Sequence, residues 1–298
     1  MKRTLGPGAC GVSQDTVSGA IMAIQSTTNY AQASITLIPR LAGLPDWYCD
    51  IQAAIDTAQS TSQTWVTVIC PALSKGLPQR IVKFSADFTD HVNKILAVLA
   101  EIGSSGPTSS QKAAITSGLK ALESAAEYQA DQALVIRKQL GSYQTQLTED
   151  VSTLGQAVST LEAHLADGSQ YVKKLEQAYG QSFVDVQSQI SPCSVIVMLN
   201  MDVQVSVSET GAPQEAIAIV VAQTIVGALS ENQANSFTPV QVVMDSWGTV
   251  QAKISAVISD VEAAQSDYIA VLKEFDLAAA RDQWAELAEY ASRFLPKP

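Results

Sequence analysis

The 298-residue chain is poor in several things at once. Aromatic residues make up only 6% of it, and there are four cysteines and two histidines. No Lys or Arg occurs between Lys174 and Lys253, and the formal net charge is −11. That balance excludes nucleic acid as a partner, because phosphate recognition needs basic side chains. It also excludes simple electrostatic docking on anionic lipid. The cysteines (Cys10, Cys49, Cys70 and Cys193) lack metal-ligand spacing, and His91 and His164 cannot complete a zinc set with them. They read as free buried thiols, with one disulfide involving Cys49 or Cys70 as the alternative. Also missing are G-x-S-x-G, a Walker loop, a dinucleotide fingerprint and any readable carboxylate pair. The expectation is a non-enzyme without metal or cofactor.

The N-terminal stretch "MKRTLGPGACGVSQ" carries Lys2 and Arg3 but no apolar run of the length a secretion signal needs. Leu5 to Cys10 only faintly resembles a lipoprotein cleavage site. Because "GPGACG" precedes no strand–helix unit, it reads as a loose terminus. Trp47, Trp65, Trp247 and Trp284 are dispersed. Core packing is the expectation for most, with Trp247 the candidate for a membrane surface.

Ala, Ser, Gln, Val and Leu dominate, a mixture suited to long, closely packed helices. Apolar spacing predicts a helix over Asp15 to Ile38, ended by "PRLAGLP", and a second from the N-cap candidate Asp46 to about Ile69. "SKGLPQR" reads as a turn before a third helix over Arg80 to Ile102. "GSSGPTSS" then breaks the chain and ends in Thr108-x-x-Gln111, a capping-box pattern. From Leu140 a heptad seam follows through Tyr143, Leu147, Val151, Leu154, Val158, Leu161, Leu165, Val172 and Leu175. The helical pattern extends from Gln111 to about Ile190, with Gly141, Gly155, Gly168 and Gly180 as weak points. Thr238-Pro239 marks another start. A return seam runs through Val250, Ile254, Val257, Val261, Ala264, Tyr268, Leu272 and Phe275.

Between the two seams lies the most apolar stretch, Cys193 to Leu229, turning at Thr210-Gly211-Ala212-Pro213. Val203, Val205 and Val207 alternate with polar residues, as a strand would. The second arm is uniformly apolar, and periodicity alone leaves it as strand or helix. A covered β-hairpin is the expectation in water. Split at Gly211, each arm approaches the ~17 to 25 residues that span a bilayer. Glu209 and Glu215 flank the turn, while Asp202 falls mid-arm, where a lone carboxylate costs ~2.5 to 3.5 kcal/mol on insertion scales. A core helix or buried strand is the plainer reading of the same residues.

These seams and this tongue resemble the α-helical pore-forming toxins: cytolysin A, haemolysin BL, non-haemolytic enterotoxin and xenorhabdolysin components. The resemblance is architectural, covers about Asp15 to Phe294, and rests on no short motif. It implies a mainly α fold, an elongated bundle of about five long helices (the tail). An apolar β-hairpin or helical-hairpin tongue, the head, is then inserted between two long antiparallel helices. Residues 1–192 and 232–298 would form the tail and 193–231 the head. It further implies a secreted toxin subunit without an evident cleavable signal. Such a subunit hides its tongue in the monomer, inserts into lipids of the target-cell membrane and oligomerises into a pore, alone or with one or two related subunits. The inserting residues would be Val195, Ile196, Val197, Met198, Leu199, Val203, Val205, Val207, Ile217, Ile219, Val220, Val221, Ile225, Val226 and Leu229. Gly211 and Pro213 would form the turn, and Asp202, Glu209 and Glu215 would be pH-sensitive. The other readings are a coiled-coil adaptor whose hairpin is an oligomer contact, and a phage or surface assembly component.

Overall fold

A computed structural model describes residues 4–36, 49–103, 106–164, 237–264 and 268–296, with residues 223, 226–227, 229–230 and 233–234 between them. The elements are α1 (Gln14–Thr36), α2 (Cys49–Thr64), α3 (Cys70–Ser74), α4 (Gly76–Ala100), α5 (Ser109–His164), α6 (Thr238–Ala263), α7 (Tyr268–Glu274) and α8 (Leu277–Ser292). Among the described residues there is no β-strand, and six helices have 16 residues or more. The mainly α expectation holds. The expected tongue lies almost wholly outside the described residues.

The chain packs as two compact units. The first comprises Met1–Met22, Ala72–Lys138 and Phe237–Pro298. Its centre is aromatic. Phe84 of α4 meets Trp247 of α6 edge-on at 5.2 Å between ring centroids and Trp284 of α8 at 4.8 Å. The two indoles stack at 6.0 Å. These are the arrangements that ring quadrupoles favour, and all three rings are fully buried. Truncating such a side chain typically costs about 3–5 kcal/mol. Trp247 is therefore a core residue, which corrects its expected place at a membrane surface.

The return helix α6 runs antiparallel to the first half of α5. Lys120 pairs with Glu262 at 3.2 Å, Ser255 hydrogen-bonds Glu123, and Arg137 pairs with Asp245. The seam side chains Val250, Ile254, Val257 and Val261 are buried. The seam does not continue as one helix: α6 ends at Ala263 and α7 starts at Tyr268. Leu272 and Phe275 are nevertheless buried.

The N-terminal segment is also part of this unit, not a loose end. Pro7–Cys10 form a 3₁₀ turn, closed by Gly11 at φ 87°, a left-handed conformation that glycine adopts without strain. Leu5, Cys10 and Val12 are buried, and the Leu5 carbonyl accepts a hydrogen bond from Trp284 Nε1 at 2.9 Å. The glycines that suggested looseness serve to make the turn.

"SKGLPQR" is likewise helical except at one residue. α3 ends at Ser74 and α4 starts at Gly76, with Pro78 in its first turn. Proline is tolerated there because first-turn N–H groups have no intrahelical partner. Leu77 and Pro78 are buried, and that burial favours helix over turn. Two further starts agree with expectation. Thr108 and Gln111 form the reciprocal capping box, with backbone N–H to side-chain oxygen distances of 2.9 and 3.2 Å. Pro239 lies at the start of α6, just after Thr238.

The second unit comprises Ala23–Pro71 and Gln139–Ser236. Within it α2 is rich in Thr and Ser, yet Thr57, Thr61 and Thr64 each donate to the carbonyl four residues back. That bonding satisfies the hydroxyls without a partner elsewhere. A π turn, Trp65–Ile69, follows, in which the Cys70 N–H donates to the Trp65 carbonyl. The widened turn stands just before Pro71, whose ring would crowd the carbonyl of Thr67 in a regular helix.

Candidate membrane-active segment

Of the expected inserting residues, all but Val226 and Leu229 lie outside the described residues, as do Gly211, Pro213, Asp202, Glu209 and Glu215. Val226 is half-buried and helical, and Leu229 is helical and wholly buried. Both belong to the second unit. No helix among the described residues is long and apolar enough to cross a membrane.

The core of this unit is built on α1, α2 with its π turn, and the second half of α5. Ile24 and Ala31 come from α1, Ile55, Ala58 and Trp65 from α2 and the π turn. Thr28 Oγ1 donates to the Ile24 carbonyl at 2.7 Å and accepts from Trp65 Nε1 at 3.0 Å. Cys70 Sγ lies 3.3 Å from the same hydroxyl. The Trp65 ring packs on Tyr143 at 4.9 Å. Burial, with a smaller contribution from Asp150, pushes the Tyr143 phenol well above its ordinary range. Nearby on α5, Thr148 Oγ1 accepts from Gln233 Nε2 at 3.2 Å.

The seam of α5 differs from the expected one in extent and in one position. Its buried stripe begins at Ile115 and runs through Leu119, Leu122, Ala126, Gln129, Ala133 and Ile136 to Leu140. It continues through Tyr143, Leu147, Asp150, Leu154 and Val158. Asp150, 4% exposed, takes the place expected for Val151, which is only half-buried. Leu161 lies in the helix without a described side chain, and Leu165, Val172 and Leu175 lie beyond the described residues. Of the expected weak points, Gly141 and Gly155 sit inside an unbroken α5, and Gly168 and Gly180 lie outside the described residues.

His91 is half-buried on α4, and Cys10 and Cys70 are buried cysteines outside any disulfide. Among the described residues no group of three or more His, Cys, Asp or Glu is placed to hold a metal ion.

The profile of the Bacillus haemolytic enterotoxin (HBL) family matches residues 13–191, more than half of the chain. The chain belongs to the Bacillus haemolytic enterotoxin (HBL) family. The folds agree with that membership. The HblL1 toxin component of Bacillus cereus superposes on this enterotoxin-family chain with a TM-score of 0.65 at 12% identity, over 100% of this chain and 99% of that one. Motility Associated Killing Factor B from Vibrio cholerae gives 0.62 at 12% identity, over 99% and 95%. Soluble SmhB, from the tripartite α-pore-forming toxin Smh of Serratia marcescens, gives 0.60 at 12% identity, over 94% and 89%. No curated protein matches the sequence. At such identities the likeness carries the fold, and the sequence profile carries the family.

Proposed function

We propose that this chain is the membrane-inserting subunit of an α-helical pore-forming toxin. The observation that carries the reading is enterotoxin-family membership through residues 13–191, followed directly by the most apolar stretch of the chain. Residues 1–192 and 232–298 act as the tail, and 193–231 as the head that enters lipid. Transfer of its Val, Ile and Leu side chains into hydrocarbon contributes ~1.5 to 3 kcal/mol each. That outweighs the ~2.5 to 3.5 kcal/mol cost of Asp202. The inserting residues are those from Val195 to Leu229 named above, with the bend at Gly211 and Pro213. Acid promotes entry by neutralising Asp202, Glu209 and Glu215. The protein is exported, acts at the target-cell membrane and self-associates there. Related subunits join it, a reading supported by the tripartite assemblies to which SmhB and the AhlB protein of Aeromonas hydrophila belong.

The test is dye release from liposomes, by the chain alone and with its related subunits. The double variant Ile219→Asp, Val221→Asp adds two charges at mid-arm, each costing ~2.5 to 3.5 kcal/mol in the bilayer. It should release dye at least tenfold more slowly while keeping wild-type helicity. Equal release by variant and wild type would remove residues 217–226 from the inserting segment.

A further inference from the structure

We propose that Asp150 keeps the second unit metastable, so that the rate at which this unit opens is set by one buried carboxylate. The inference takes its purpose from the pore-forming reading, but its physical content concerns the isolated chain. Positions of a heptad seam normally hold apolar side chains that interlock with the facing helix. Asp150 holds such a position between Leu147 and Leu154 and is 4% exposed. Its Oδ1 accepts one hydrogen bond, from Gln146 Nε2 at 3.2 Å on the same helix. Its Oδ2 is buried and has no hydrogen-bond partner among the described residues. No ion pair among the described residues reaches it either.

A buried carboxylate oxygen left without a donor forfeits its hydration and receives nothing in exchange. Well-packed apolar residues in place of buried charges often make a protein more stable. Opening of the unit returns Oδ2 to water, so opening recovers what packing withholds. Asp150 stands in the same compact unit as the buried Leu229, the end of the apolar tongue. The unit that must part to free the tongue thus contains its own destabilising group. The neighbouring Tyr143 feels this carboxylate, whose charge adds to burial in disfavouring the phenolate.

The experiment compares full-length wild type, Asp150→Leu and Asp150→Asn by thermal melting, hydrogen exchange and liposome dye release. Asp150→Leu should raise Tm and slow amide exchange over residues 139–158 by about tenfold. Dye release should slow by a similar factor and reach the same end point. Asp150→Asn, which removes the charge but keeps a polar group, should move all three in the same direction by less. A lower Tm, failure to fold, or unchanged exchange in Asp150→Leu overturns the proposal, and so does slower exchange with unchanged release. If wild type releases no dye under any condition, the pore-forming reading fails. The exchange comparison then still decides whether Asp150 sets the opening.

Discussion

Cys10 shows how one buried side chain gives the N-terminal turn a measurable signature. Burial pushes its thiol up to about 11, an effect that the charge on Lys253 partly offsets. The thiol is therefore held neutral at physiological pH, and a neutral thiol is a poor nucleophile. Its ionisation is disfavoured in the fold relative to an ordinary value of 9.0. The stability it contributes is intact below pH 9.0 and is lost as pH rises through about 11. Wild type should accordingly lose more Tm between those limits than Cys10→Ala does. Parallel curves for the two would show that the thiol is not packed as described. Trp284 ties the same turn down through the Leu5 carbonyl. That tie was not readable from "GPGACG", because its donor is remote in sequence.

Helix α5 shows which features of an element are local. Its start was legible because Thr108 and Gln111 satisfy each other across a single turn. Thr108→Ala should cost about 1 kcal/mol. The measurement is a lowered denaturant midpoint with faster exchange at the first amides of α5, and an unchanged midpoint would mean the cap contributes nothing. The buried stripe was legible in its period but not at every position. Steps of three and four reach Leu154 from Leu147 through either Asp150 or Val151, and hydropathy favours valine. Packing put the aspartate inside. The π turn and the helical reading of "GLP" escaped for a related reason. Pro71 and Pro78 are helix breakers in general, but here a widened π turn accommodates Pro71 and Pro78 falls in the first turn of α4.

For the molecule as a whole, family membership and the expected function lead to a change of association state. Addition of detergent or liposomes should convert a monomer into a discrete oligomer of high mass, as read by mass photometry. Stable oligomers in plain buffer, with no response to lipid, would favour the adaptor reading in which the apolar hairpin is a protein contact. The two compact units each have a substantial core: the Phe84, Trp247 and Trp284 cluster in one, the Trp65 and Tyr143 pair in the other. Neither was readable as a cluster, because each joins aromatics from helices far apart in the chain. In a sequence with 6% aromatics, most of the tryptophan went to these cores.

By itself the sequence determined that this chain is helical, where α1, α5 and α6 begin, and that one apolar stretch stands between two seams. Period, capping and proline placement are local properties, decided within a few residues. Only the tertiary structure decided that Asp150 faces inward, that the glycine-rich N-terminus closes a buried turn, and that Trp247 lies in a core. Those outcomes depend on which surface a distant helix presents, and spacing along one chain segment does not contain that information.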